Sequence, residues 1–228
     1  SLGDPTEKFT FHDEIKGDVT VTRNDQDVVI LKSDGIPTYH FAHAVDDHLM
    51  RTTLVIRGEE WLASLPIHLE LFEALGFRPP KYGHNCSLMK MDGGSKRKLS
   101  KRKDPELSLA FYRQEGYHPF AVKVYMLTLL NSDFEEWHAK FPDKPLEEFP
   151  FRIGKMSRSG ALFDLDKLND ISRNELSRLT VQEMAAFLKE WALAFGSEAQ
   201  QAYFADEAHF AEVLALCMGV GGKKRRKD

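Results

Sequence analysis

The sequence predicts an α/β half followed by an all-helical half, with the change near residue 91. Three observations carry this. Leu54-Val55-Ile56 is a short apolar run that leads through Arg57-Gly58-Glu59-Glu60 into an amphipathic segment, the strand, charged turn and helix of an α/β unit. Beyond residue 107 the chain reads almost wholly as helices. Between the two halves, Met91 to Asp104 is dense in cations.

In chain order, Val19-Thr20-Val21 and Val28-Val29-Ile30-Leu31 flank Asn24-Asp25-Gln26-Asp27, which predicts a hairpin of β-branched strands. Ser33-Asp34-Gly35 makes a turn, and Pro37 biases the residue before it away from helix. Tyr39, Phe41, His43 and Val45 then alternate as on one side of a strand. The run at Leu54 suits a strand buried on both faces. The helix after it has Pro66 in its first turn, Ile67, Leu71 and Leu75 at i, i+4 and i+8, and Gly76 to close it. Ligands gather at the carboxyl ends of strands in such sheets, which puts Arg57 to Trp61 at a binding edge. In the second half, Ser108 to Gln114, Pro119 to Leu130, Val181 to Phe195 and Glu207 to Met218 read as helices. Another helix begins in the segment opening at Phe163.

Composition narrows the function classes. Hydrophobic residues make up 42% and charged residues 29%, ordinary for a soluble globular protein. The net charge of −4 gives no global attraction to nucleic acid, so any such contact needs a local patch. Cys86 and Cys217 sit in no metal or redox spacing and read as free thiols of a reducing compartment. The longest apolar run, Val124 to Leu130, is far too short for a bilayer. The chain opens on Ser-Leu-Gly and reads as a fragment.

Gly93 and Gly94 lead into nine residues of which six are basic: Lys96, Arg97, Lys98, Lys101, Arg102 and Lys103. The glycines predict a mobile entry. Leu99 is the one apolar residue of the run and can pin it. Such a segment stabilises phosphate charge, most strongly where water is excluded.

The order Lys98-Leu99-Ser100-Lys101-Arg102 resembles the Lys-Met-Ser-Lys-Ser signature of class I aminoacyl-tRNA synthetases, in the form seen in bacterial glutamyl-tRNA synthetases. Other stretches resemble that family in the same order. They are Ser33-Asp34-Gly35-Ile36-Pro37-Thr38-Tyr39, Val45-Asp46-Asp47-His48-Leu49-Met50, Val55-Ile56-Arg57-Gly58-Glu59-Glu60, Gly116-Tyr117 with Pro119, and Phe163-Asp164-Leu165-Asp166-Lys167-Leu168. The family's His-Ile-Gly-His motif is nowhere in the chain and would lie upstream.

The resemblance implies the second half of a Rossmann-like catalytic domain, an all-α stem-contact region and the start of a helical anticodon-binding domain. On that basis residues 1–41 finish an acceptor-binding insert, 42–90 the catalytic α/β half, 91–174 the signature loop and stem-contact region, and 175–228 open the anticodon-binding helices. It further implies a cytoplasmic, monomeric ligase that activates L-glutamate with ATP, carrying Mg²⁺ on the nucleotide without a protein metal site, and charges tRNA-Glu. Lys101, Lys98 and Ser100 are the expected catalytic residues. Lys98, Leu99, Lys101, Glu60 and Trp61 would meet ATP, and Tyr39, Arg57 and His43 would meet glutamate. Lys96, Arg97, Arg102 and Lys103 are expected on the tRNA backbone or in solvent.

Other readings stay open. Arg57 could pair only with Asp46, Asp47 or Glu59, Trp61 could be plain core, and His43 could be packed rather than substrate-facing. Lys155-Met156-Ser157-Arg158-Ser159 also resembles the generic signature, but its place in the helical half makes it a loop between helices. Lys223 to Lys227 could contact phosphates. A glutaminyl or tRNA-Asp-modifying relative, or a non-catalytic tRNA-binding module, are the rival functions.

Overall fold

Alternation of Phe9 and Phe11 with polar residues starts the chain as β1 (Lys8–Asp13), which turns through Glu14-Ile15-Lys16 into β2 (Gly17–Thr22). The structure, a computed structural model, describes residues 6–218. The run Lys223 to Lys227 lies outside them. Asp13 makes the β1–β2 turn: its Oδ1 accepts from the backbone N–H of Ile15 at 2.9 Å and of Lys16 at 2.8 Å. The hairpin therefore lies one strand earlier than the expected pairing of Val19–Val21 with Val28–Leu31. Val28–Leu31 forms no strand beyond a single bridge from Leu31 to Pro37, and Asn24 spends its amide on the Gln26 carbonyl and the Glu70 carboxylate.

Residues 39–49 form a helix, α1 (Tyr39–Leu49), and not the expected strand. Thr38 enters it in an extended conformation, as the N-cap position requires. The i, i+4 pair His43 to Asp47, at 2.6 Å, supports it, and buried His43 and Ala44 with partly buried His40 and Asp47 fall at i, i+3, i+4 and i+7. The alternation at every second residue was incidental to that stripe.

β3 (Leu54–Gly58) follows, then a 3₁₀ turn at Glu59–Ser64, α2 (Leu65–Ala74) and β4 (Lys81–Asn85). Pro66 sits in the first turn of α2, and Gly76 closes it with φ +68°. The buried face of α2 is Leu65, His68 and Phe72, one step round from the expected Ile67, Leu71 and Leu75. The sheet order is β2-β1-β4-β3, with β1–β4 and β4–β3 parallel. Among the described residues β3 lies at the edge of this sheet, and Ile56 is half exposed where burial on both faces was expected.

The chain divides into two compact units. One runs to Leu88 and resumes over Leu130–Ala161; the other takes Met89–Leu129 and the chain from Leu162. The first unit holds β1 to β4 and α5 (Phe134–Lys140), with Ile15, Ala44, Leu65, Phe72 and Tyr82 in its sheet core and Phe134 beneath Phe149. Here the second signature-like stretch continues a 3₁₀ turn at Ile153–Lys155 as an irregular segment, held by buried Met156, which bridges to Asn131.

The second unit opens on a hairpin of β5 (Leu88–Asp92) and β6 (Ser95–Lys98), flanked by the short β7 (Ala161–Leu162). Helices α3 (Leu109–Gln114), α4 (Pro119–Leu130), α6 (Leu165–Leu176), α7 (Val181–Phe195), α8 (Glu198–Ala205) and α9 (Glu207–Cys217) complete it. Asp164 caps α6 through the N–H groups of Asp166 and Lys167, and capping boxes open α7 (Thr180, Glu183) and α8 (Ser197, Gln200). Tyr125 and Phe163 pack edge to face at its core, beside Leu168 and Val124.

Candidate active site

The first unit gathers its titratable side chains around Arg57. This residue projects from β3 beside His84 of β4 and His68 of α2. Its Nε–H donates to His84 Nε2 at 3.0 Å, Nη1 to His68 Nδ1 at 3.0 Å and Nη2 to the Trp61 carbonyl at 3.3 Å. The guanidinium also lies over the Tyr82 ring at 4.9 Å and near that of Trp61 at 5.9 Å. These bonds take one donor on Nε and one on each terminal nitrogen, and the Tyr39 side chain hydrogen-bonds the group as well.

These acceptors are neutral. Asp13 Oδ2 takes the Nδ1–H of His84 at 2.6 Å, which leaves His84 Nε2 with a lone pair for Arg57. His68, accepting at Nδ1, donates its Nε2–H to His40 Nδ1 at 2.9 Å. Burial first, then the Arg57 charge, hold the pKa of His68 down at about 3. Burial likewise lowers that of His84. Among the described residues no carboxylate ion-pairs with Arg57: Asp47 is taken by His43, and Glu59 by Lys16 Nζ at 2.8 Å and the Ser87 N–H at 3.0 Å. The alternative that Arg57 serves only to pair with Asp46, Asp47 or Glu59 is thereby set aside.

Tyr39 stands half exposed beside this cluster, its ring 4.4 Å from that of Trp61 and stacked on His43. His43 is a correction. It is 8% exposed, its Nδ1–H donates to Asp47, and its Nε2 accepts the Tyr82 hydroxyl at 2.9 Å. With both ring nitrogens used, it supports Tyr39 and has no polar atom left for a substrate. Glu60 is exposed and Trp61 partly buried on the 3₁₀ turn that follows β3.

The pKa of His68 gives a pH prediction. The unfolded imidazole binds its proton near pH 6.5 and the folded one only near pH 3. Between those values the unfolded state holds more protons, so stability falls as pH falls, by about 1.4 kcal/mol per unit from this group. The loss of stability in urea unfolding between pH 6.5 and pH 5 will be smaller in His68→Gln than in the wild type, by roughly 1.5 kcal/mol.

In the second unit the cationic stretch is a clamped hairpin and not a mobile loop. Gly93 and Gly94 have φ +56° and +86°, the paired left-handed conformations of a tight hairpin turn. Lys96, Arg97 and Lys98 lie on β6. Arg97 donates from both terminal nitrogens to Asp104, at 2.7 and 2.8 Å, and from Nε to Asp92 at 2.6 Å. The Ser100 N–H also binds Asp104, at 2.8 Å. The Arg97 guanidinium and the Ser100 N–H hold the Asp104 carboxyl well below the usual carboxylate range.

Two expectations change here. Arg97 is an internal clamp rather than a free tRNA contact, and Leu99, 4% exposed, is the pin, with its side chain buried in the protein. Lys96, Lys98, Lys101, Arg102 and Lys103 are exposed, and Ser100 is half-buried. Removing the clamp charge with Asp104→Asn will speed hydrogen exchange at the Ser100 amide by about tenfold, read by mass spectrometry or NMR.

Asp13, His40, His68 and Tyr82 were not singled out from the sequence. Asp13 has a local signal, an Asp heading the turn Asp-Glu-Ile-Lys-Gly; the others have none, because strand pairing and helix packing bring them together.

The family described as tRNA synthetases class I (E and Q), catalytic domain, matches residues 3–170. Glutamate--tRNA ligases from Acetivibrio thermocellus and Clostridium beijerinckii are 53% and 48% identical over the whole chain. The chain spans 41% of the length of each. Among solved structures, a glutamate tRNA ligase from Elizabethkingia meningosepticum in complex with its amino acid superimposes with TM-score 0.69 at 27% identity, over 93% of this chain and 44% of that one. The glutamate-tRNA synthetase of Elizabethkingia anophelis gives TM-score 0.72 at 28% identity, with the same two coverages. The motifs, the parallel sheet edge carrying Arg57 and these likenesses agree: the chain belongs to the class I tRNA synthetase catalytic-domain family of the E and Q type.

Proposed function

We propose that the full-length protein carrying this chain is a glutamate--tRNA ligase that joins L-glutamate to ATP as glutamyl-adenylate and then transfers it to the 3′ end of tRNA-Glu. The observation that supports this best is Arg57. A half-buried guanidinium whose hydrogen-bond acceptors are all neutral has no carboxylate in direct contact, and desolvated charge is costly until an anion joins it. The glutamate side-chain carboxylate suits the donors that remain, with Tyr39 beside it. Glutamine offers no such charge, which favours glutamate over the glutaminyl alternative.

ATP is the family's second substrate. Lys101 and Lys98 are exposed on a stretch whose backbone is already fixed by Asp104, a preorganised arrangement for phosphate. In this reading Lys101 stabilises charge on the departing pyrophosphate, Lys98 and Ser100 assist, and Glu60 with Trp61 meets the nucleoside. Magnesium arrives on phosphate oxygens, with most of its remaining ligands water. Lys96, Arg102 and Lys103 face the tRNA backbone. Residues 1–41 belong to the acceptor-binding insert, and 175–228 to the anticodon-binding helices. The enzyme works as a cytoplasmic monomer.

The test is glutamate-dependent ATP–pyrophosphate exchange by the full-length protein. Exchange with glutamate supports the reading; exchange with glutamine instead, or none with either in the presence of tRNA, contradicts it.

A further inference from the structure

Asp13 and His84 are each completely buried, an uncommon state for an aspartate and one that calls for compensation. The compensation is dense. Asp13 accepts from the N–H groups of Ile15 and Lys16, from the His84 N–H at 3.1 and 3.2 Å, and from His84 Nδ1 at 2.6 Å. Burial alone would raise its pKa, but the Lys16 N–H, the His84 side chain and the Ile15 and His84 N–H groups together lower it and keep it ionised. A turn needs only the Ile15 and Lys16 bonds. The other two fix His84 in position and in protonation state, with Nδ1–H toward Asp13 and the Nε2 lone pair toward the Arg57 Nε–H.

We infer that Asp13 and His84 are positioning residues, a buried carboxylate–imidazole pair that sets the orientation of Arg57 and through it the affinity for the substrate carboxylate. The inference rests on Arg57 as the glutamate-binding group. Its chemistry is specific about tautomer. A neutral His84 carrying its proton on Nε2 would set a donor against the donor on Arg57 Nε. Only an acceptor at the position of Asp13 prevents that. The pair's hydrogen bonds run to the β1–β2 turn and to Arg57, so its influence is expected at the end of the site that reads the amino acid.

The experiment uses the full-length protein. Asp13→Asn can keep the Ile15 and Lys16 bonds through its carbonyl oxygen while turning its amide N–H toward His84, which forces the wrong tautomer. The KM for glutamate in pyrophosphate exchange is expected to rise about tenfold to a hundredfold, with the KM for ATP within about twofold of wild type. The Arg57 Nε–H resonance is expected to exchange with water faster in this variant. At His84, Gln can still offer an oxygen to Arg57 and Leu cannot, so His84→Gln is expected to recover much of the glutamate affinity that His84→Leu loses. That second pair decides the matter if Asp13→Asn does not fold.

An unchanged glutamate KM and an unchanged Arg57 Nε–H exchange rate in a folded Asp13→Asn protein would overturn the inference. So would equal rises in both KM values, or His84→Gln and His84→Leu behaving alike. Failure of the wild-type protein to use glutamate would overturn the functional reading instead, and the Arg57 Nε–H exchange would still test the positioning.

Discussion

Lys101→Ala in the full-length protein is expected to lower glutamate-dependent pyrophosphate exchange by about 10²–10³, or 2.7–4 kcal/mol of transition-state stabilisation. The effect falls on kcat, because charge on the leaving pyrophosphate is largest in the transition state. Its size follows from preorganisation. Arg97, Asp92, Asp104 and Leu99 already hold the backbone around Lys101, so little reorganisation accompanies the reaction. Lys155→Ala is the matched control in the second signature-like stretch. Lys155 lies near Asp133, at 3.6 Å, on the exposed surface, and its loss is expected to leave exchange within about twofold. A large loss at Lys155 with little at Lys101 would exchange the roles of the two stretches.

Arg57→Gln is expected to raise the KM for glutamate by about 10²-fold or more, since truncating one partner of a desolvated, hydrogen-bonded charge pair costs about 2–5 kcal/mol. The stability of the protein without substrate should change by less than that. The variant leaves His84 and His68 short of a donor, worth about 1–3 kcal/mol at most, but it also removes a cation that has no carboxylate in contact. A purely structural Arg57 would show the reverse pattern, with unfolding affected and glutamate affinity spared. Urea unfolding and exchange kinetics on the same preparation separate the two.

Much of this arrangement was legible in the residues. β3, α2 with Pro66 and Gly76, α4, α6 and α7 follow directly from local pattern, and Leu99 as the pin follows from being the one apolar residue of a cationic run. The misreadings have physical causes. Tyr39 to Val45 satisfies a two-residue period by accident, while the contact that fixes it as α1, His43 to Asp47, appears only at i+4. Val28 to Leu31 has strand propensity, yet β1 was the strand available to β2, and the Asp13 turn decided the pairing. The Gly93-Gly94 pair read as mobility because the Arg97–Asp104 clamp closes over seven residues and depends on side-chain geometry.

Of the network around Arg57, Tyr39 and Trp61 were legible in the sequence, while Asp13, His40 and His68 were not. His68 and His84 reach it from a helix and a neighbouring strand, and Asp13 stands 71 residues from His84. No local spacing encodes such a meeting; the sheet order β1-β4-β3 does.

The claim on which this account turns is that the Arg57 charge awaits the side-chain carboxylate of the amino acid. The direct measurement is the ratio of kcat/KM for glutamate over glutamine in pyrophosphate exchange, for the full-length wild type and Arg57→Gln. The account predicts a wild-type preference of about 10³-fold or more that falls toward unity in the variant. A preference that survives Arg57→Gln undiminished would contradict it.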